Sequence, residues 1–321
     1  MAALVLTAMI WGFAFVSQVS GMTSMKPFFF NATRFTLGTL SLLPILLVRH
    51  RRSSSGSGPD GRERTVSAGQ SATTSTRKSR KTVLVAMLCG IVLFLASTFQ
   101  QYGILYGKSA GRAGFLTALY IVIVPLLAFV FLHRRIGVLT VVAVAVAIAG
   151  FYFLCITDGF GSMTLADGLL VVSALLFAVH ILVIDELGAG IDPIILSFGQ
   201  FLTTTVISWV CSLIGGDVDW AGASQAWVAV VYAGIGSVGI AYTLQVVGQQ
   251  WVPPTRASLI MSLESFFSVI GGALLLGEVM TPRAYLGCAL IFLGTLLAQT
   301  PARLPRFLTR TKTGSGARDR G

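Results

Sequence analysis

The chain alternates between apolar stretches and short polar breaks. Windows long enough to cross a bilayer, about 20 residues each, lie near 3–20, 28–48, 83–105, 113–132, 137–156, 165–185, 194–214, 226–247, 257–276 and 282–299. Most contain glycine, which bilayer-spanning helices tolerate. The pattern predicts an all-α membrane protein with ten transmembrane helices. The first window, MAALVLTAMIWGFAFVSQ, lacks the basic leader of a signal peptide and reads as a spanning helix.

Composition agrees with that reading. The 321 residues are 55% hydrophobic and 11% charged, with a mean hydropathy of +0.82, whereas a soluble domain is about 25% charged. The net charge of +11 is distributed unevenly. Basic residues crowd the loop after the second window, Arg134 and Arg135 follow the fourth, Arg256 precedes the ninth, and six more occupy the tail from Arg303 to Arg320. Only Lys26, Lys108, Arg112 and Arg283 fall on the opposite side, and Arg34 lies within a span. This positive-inside bias places both termini in the cytoplasm of a bacterial-type inner membrane. Nucleic acid is not an expected partner, because no soluble domain with aromatic or motif context carries the charge. Cys89, Cys155, Cys211 and Cys288 lie inside spans without CxxC spacing, so they read as packing residues, with no disulfide framework and no metal site.

Residues 49–82 are rich in Ser, Gly and Arg without periodicity and read as a disordered basic cytoplasmic linker. The tail 300–321 reads the same way, its cations near anionic lipid.

An internal repeat organises the rest. Shifted by 166 residues, Lys26-Pro27 falls on Asp192-Pro193 and Arg34-Phe35 on Gln200-Phe201. After the linker the shift becomes 144, bringing Gln101 onto Gln245, Arg112-Ala113 onto Arg256-Ala257, and Tyr120 onto Glu264. One insertion in the loop accounts for the difference. The expected units are a first repeat, 1–48 and 83–156, and a second, 165–299. Five spans per unit is an odd number, so the second unit enters the bilayer from the opposite side. Inverted repeats of this kind are characteristic of secondary transporters, which alternate access around a site at the repeat interface.

Polar residues inside the spans are the candidates for that site. Glu264 stands in the run SLIMSLESFFSVIGGALLLGE, where a charge costs roughly 2.5–3.5 kcal/mol at mid-bilayer. It reads either as a hydrogen-bonded carboxyl or as an acid that faces a cavity and binds a cation or carries a proton. Arg34 cannot deprotonate, so it either snorkels outward or finds a partner. Helical rise puts Arg34 and Glu264 roughly 8–10 Å apart in depth, in separate leaflets, which argues against a direct pair. His180 matches Glu264 better in depth and is the candidate second member of a proton relay. Gln101 and Gln245 read as interhelical glue or cavity lining, and Trp11 and Tyr120 as interface anchors or stacking surfaces. Pro125 is expected to kink the fourth span. The sequon Asn31-Ala32-Thr33 lies within a span and is set aside.

The runs SAGRAGFLTALYIVIVPLLAFVFLHRR (109–135) and TRASLIMSLESFFSVIGGALLLGEVMTPRAYLGCALIFLGTLLA (255–298), with Trp11-Gly12, Arg34-Phe35 and Gly277-Glu278, resemble the two halves of an EamA-type permease of the drug/metabolite transporter superfamily. The resemblance spans nearly the whole chain apart from 49–82 and the tail. It implies ten helices, both termini cytoplasmic, two inverted five-helix repeats and a central cavity lined mainly by helices 1, 3, 4, 6, 8 and 9. It also implies a small-metabolite cargo, with exporters of amino acids and related compounds common. Many members have proline directly after the ninth-span glutamate. Ser265 stands there in this chain, which leaves the local shape of that helix open. Glu278 reads as a packing and topology residue.

The expectation is therefore a secondary transmembrane transporter, an exporter of a small metabolite or amino-acid-like compound, working by alternating access. No GxxxxGK[ST] run supplies ATP drive, and the absence of HExxH and GxSxG argues against an enzyme. No cofactor is expected. The expected partners are a small-molecule substrate and membrane lipid, with a homodimer left open. The rival reading is a non-transporting membrane scaffold.

Overall fold

A computed structural model describes residues 1–55, 68–134, 137–155 and 163–299, and among them every regular element is helical. The helices are α1 (Ala2–Gly21), α2 (Pro27–Ser55), α3 (Ala68–Gly107), α4 (Ala110–Thr117), α5 (Tyr120–Leu132), α6 (Val138–Cys155) and α7 (Leu165–Leu187). They continue with α8 (Pro193–Ile214), α9 (Trp220–Gln225), α10 (Trp227–Val231), a π-helical stretch (Tyr232–Tyr242), α11 (Thr243–Gln249), α12 (Pro254–Met261), α13 (Glu264–Leu276) and α14 (Pro282–Gln299). Among the described residues, eight helical segments are long and apolar enough to cross a membrane, and Val141–Phe153 and Pro282–Gly294 are shorter apolar helices.

Local sequence accounts for the helix ends. Asp192 caps α8 by accepting from the Ile194 and Ile195 N–H groups, with Pro193 in the first turn. Thr164 and Asp167 form a capping box at the start of α7. α5 and α13 both end at left-handed residues, His133 (φ 51°) and Gly277 (φ 66°). The 49–82 segment differs from expectation. α2 runs on to Ser55 and α3 begins at Ala68, because a formed helix propagates through Ser, Arg and Lys more readily than it nucleates. Residues 56–67 and the tail 300–321 lie outside the described residues.

The boundaries repeat. Shifted by 144, α4, α5 and α6 fall on α12, α13 and α14 at both ends, and shifted by 166, Pro27 at the start of α2 falls on Pro193 at the start of α8. α2 and α8 pack antiparallel, since Lys26 before α2 pairs with Asp217 after α8 at 3.0 Å, and Arg49 far along α2 pairs with Asp192 at 2.8 Å. Along that seam residues meet their equivalents. Phe35 and Phe201 have ring centroids 6.4 Å apart, and the Thr39 and Thr205 hydroxyls are 3.3 Å apart. α6 packs on α14, α3 on α7, and α1 on both α13 and the π-helical stretch.

The core is built from Leu4, Phe35, Leu93, Tyr120, Phe177, Phe201 and Tyr242. Leu40, Leu88, Phe131, Ile214 and Leu274 are exposed around the outside, as a bilayer-facing surface requires. Ion pairs lie toward the two ends of the bundle. At one end the Arg112 Nε and Nη2 both hold Asp167 at 2.7 Å. At the other, Arg134 pairs with Asp185 at 3.0 Å and with Glu186.

Candidate functional site

Two helix breaks shape the middle of the bundle. α4 stops at Thr117 and α5 restarts at Tyr120; α12 stops at Met261 and α13 restarts at Glu264. The hydrogen bonds across the two breaks correspond. Leu119 and Ile121 donate three residues back, to Leu116 and Ala118, and Leu263 and Ser265 do the same, to Ile260 and Ser262. Each break is therefore a short 3₁₀ jog. Proline is not its cause. Pro125 lies inside unbroken α5, and the second break forms with Val269 at the equivalent position. The side chains of Ser262, Ser265 and Ser268 each donate to a carbonyl three residues back, satisfying backbone groups as interrupted membrane helices require. Ser265 in place of a proline thus still yields a broken helix.

Between the breaks lies a small cavity of about 30 Å³. Arg34, Glu264, Tyr120, Gln245 and Trp11 all line it, with Gln18, Gln100, Thr117 and Ser237 as further polar walls. Phe15, Phe177, Ile181 and Tyr242 supply apolar surface. Gly12 lets α1 approach α13 here, because a Cβ at that position would run into Phe267 and come within 2.7 Å of the Glu264 carbonyl oxygen.

The walls present polar atoms with few partners. Among the described residues, Arg34 Nε and Nη2, Glu264 Oε1, the Tyr120 hydroxyl, Gln18 Oε1 and Gln245 Oε1 are buried without a hydrogen bond. Such atoms are costly in a dry core, so their convergence on one cavity marks a polar ligand site or ordered water. The Tyr120 side chain lies beside the Glu264 carboxyl without closing a hydrogen bond to it. The Arg34 guanidinium lies 5.6 Å from the Phe30 ring centre and 5.1 Å from that of Phe35. Tyr242 is within electrostatic range of both Arg34 and Glu264. Trp11 donates its indole N–H to the Ser237 carbonyl at 3.3 Å. That carbonyl belongs to the π-helical stretch, a geometry often found at functional positions.

Two candidates stand elsewhere. His180 is fully buried and bonds Gln200 at 2.9 Å through Nε2, while its ring meets Tyr242 edge-on. It is not among the cavity walls, so the structure does not bring it to Glu264. Gln101 turns to the Gln18 carbonyl at 3.4 Å, leaving its neighbour Gln100 on the wall. Arg34 and Glu264, placed in separate leaflets by helical rise, share one cavity without forming an ion pair. Glu278 holds two elements together. Its carboxylate accepts from the Ser109 hydroxyl (2.9 Å) and the N–H groups of Ala110 (2.6 Å) and Gly111 (3.1 Å), tying the end of α13 to the start of α4.

The model of the EamA-like transporter family matches residues 1–156 and 164–300. The chain belongs to the EamA-like transporter family. A curated relative from Archaeoglobus fulgidus, named as an uncharacterized transporter, is 27% identical over 297 residues, covering 92% of this chain and 83% of that protein. A solved crystal structure of a protein resembles the EamA-like chain with a TM-score of 0.67 and 20% identity, over 92% of this chain and 95% of the other, which is a likeness of fold. As an EamA-like protein with several bilayer-length apolar helices, it is a multi-pass membrane transporter.

Proposed function

We propose that this transporter exports a small metabolite or amino-acid-like compound by alternating access, without ATP hydrolysis of its own. Ten membrane crossings form two inverted five-helix repeats, 1–48 with 83–156 and 165–299, and both termini face the cytoplasm of a bacterial inner membrane. The basic residues clustered at the Arg49 and Arg134 end support that orientation. The substrate sits in this cavity, whose wall combines a few polar groups with apolar and aromatic side chains, as small-molecule sites do. Arg34, Gln245, Tyr120 and Trp11 contact it there. Glu264, buried in that wall with no cationic partner among the described residues, carries the coupling proton.

The observation that carries this reading is the pair of matched breaks at 118–119 and 262–263, each followed by a helix whose first residue lines the cavity. Interrupted helices with their half-helix N-termini at a central site are how secondary transporters place a polar site inside a bilayer. Because both breaks are 3₁₀ jogs, small changes there can rock α4–α5 and α12–α13 against the rest. The test is counterflow in proteoliposomes, with a radiolabelled panel of small metabolites outside and the unlabelled compound inside. Transient accumulation of one of them, together with uptake into inside-out vesicles, supports export. No counterflow across the panel would leave a binding or scaffolding protein.

A further inference from the structure

We propose that Arg34 anchors a carboxylate group on the transported molecule, so the cargo class is a small organic acid or zwitterion with a hydrocarbon body. This rests on the transporter reading above and adds to it the chemistry of one end of the site. Arg34 is 1% exposed and is among the largest fully buried side chains. Its guanidinium stays charged in a protein, and no carboxylate pairs with it among the described residues. A buried cation of this kind requires an anion or water.

The missing partner has a specific geometry. Nε and Nη2 are buried without a hydrogen bond; they lie on the same edge of the guanidinium and form a fork that can grip a carboxylate in bidentate fashion. The same protein shows that fork in use, since Arg112 holds Asp167 through Nε and Nη2, both at 2.7 Å. Phe30 and Phe35 flank the Arg34 guanidinium and orient it by cation–π contact. Glu264 cannot take the anion's place without forming an ion pair, and no such pair is present.

The two halves differ at this position in a way that fits binding. The equivalent of Arg34 is Gln200, whose side-chain oxygen is engaged by His180. One half therefore offers its polar group to the cavity, while the other ties its own up in the core. Trp11, Phe15, Phe177 and Ile181 supply apolar wall for the rest of the ligand.

The test uses the full-length protein in detergent and three acids, 3-phenylpropionate, L-leucine and L-phenylalanine, each against its primary amide. Affinity is read from tryptophan fluorescence, Trp11 being in the wall, and from thermal stabilisation. At least one acid is expected to bind ten-fold or more tighter than its amide. Arg34→Gln, which installs the residue of the equivalent position, is expected to abolish that preference, and Arg34→Lys to weaken it. Size-exclusion elution of Arg34→Gln at the wild-type volume shows that the fold is intact. Should that variant not fold, Arg34→Lys carries the comparison. Equal binding of acid and amide, a preference that survives loss of the guanidinium, or no binding by any of the three acids would each overturn the assignment. Counterflow of the best acid separates the two proposals: binding without counterflow overturns the transporter reading alone, and counterflow with no role for Arg34 overturns the anchor alone.

Discussion

Tyr120 and Glu264 are equivalents 144 residues apart, each opens the helix after a break, and their side chains lie next to each other in one cavity. The position where the first half carries a phenol therefore carries an acid in the second. A single carboxyl near the meeting point of the halves suits the proton-carrying role proposed for it, because alternating access would expose it to each side in turn.

Glu264→Gln keeps the volume of that side chain and removes its titration. Flux of a counterflow substrate should lose its dependence on pH while the protein elutes as a monodisperse peak. Exchanging the pair, Tyr120→Glu with Glu264→Tyr, keeps one acid in the same cavity and should restore part of the pH dependence. If Glu264→Gln retains the wild-type pH profile, Glu264 is not a proton carrier.

Gly12 makes a different demand. A methyl group there would meet Phe267 and the Glu264 carbonyl, pushing α1 away from α13 at the cavity wall. Gly12→Ala should destabilise by about 1–3 kcal/mol, the usual cost of overpacking, and should lower transport as well, because the displaced helix carries Trp11 and packs against the one that carries Glu264. Gly168→Ala in α7 is the control: nothing lies within 4 Å of its added methyl, and thermal unfolding should move little or upward, by up to about 1 kcal/mol.

Glu278 should act as a latch between α13 and α4. Its carboxylate takes two backbone N–H groups at the start of α4, where the helix dipole also favours negative charge. Hydrogen bonds to a charged group are worth about 1.5–3 kcal/mol, so Glu278→Ala should cost roughly that much. Hydrogen exchange followed by mass spectrometry should show faster exchange at Ala110 and Gly111, with the α12 start around Arg256 unchanged. Unaltered exchange at Ala110 would remove the latch.

Much of this architecture is written in apolar run lengths and in the repeat, because a bilayer forces backbone groups into helices of nearly fixed length. The cavity wall was legible at Arg34, Glu264 and Gln245, where a polar residue interrupts such a run. Rotation about each helix was not. Consecutive residues point roughly 100° apart, so nothing in QQY decides whether Gln100 or Gln101 faces the cavity. Gln18 reaches the cavity wall only through the packing of α1 against its neighbours. His180 and Glu264 share a depth by helical rise, yet depth says nothing of the face, and Gln200 takes the histidine instead. The breaks are hidden for another reason. Ala118-Leu119 and Ser262-Leu263 contain neither glycine nor proline, while Pro125 sits in a helix that continues through it.

At the opposite end from Glu278, Asp192 both caps α8 and pairs with Arg49. Partial burial alone would raise its carboxyl, but the Arg49 hydrogen bond and charge and the two backbone N–H donors outweigh it, holding the group below its ordinary value. A carboxyl depressed in the folded state stabilises above its unfolded value and loses that contribution as pH falls through the folded one. Asp192→Asn keeps the cap, since Asn and Asp serve about equally there, and removes the charge. With side chains 54% and 30% exposed, the pair is screened, and the loss at pH 7 should be below about 1 kcal/mol. The difference in unfolding temperature between wild type and Asp192→Asn should therefore be small at pH 7, shrink in high salt, and vanish as pH is lowered below about 4, the ordinary Asp range. A difference that persists unchanged in acid would mean that cap geometry alone, without the carboxylate charge, holds this end of α8.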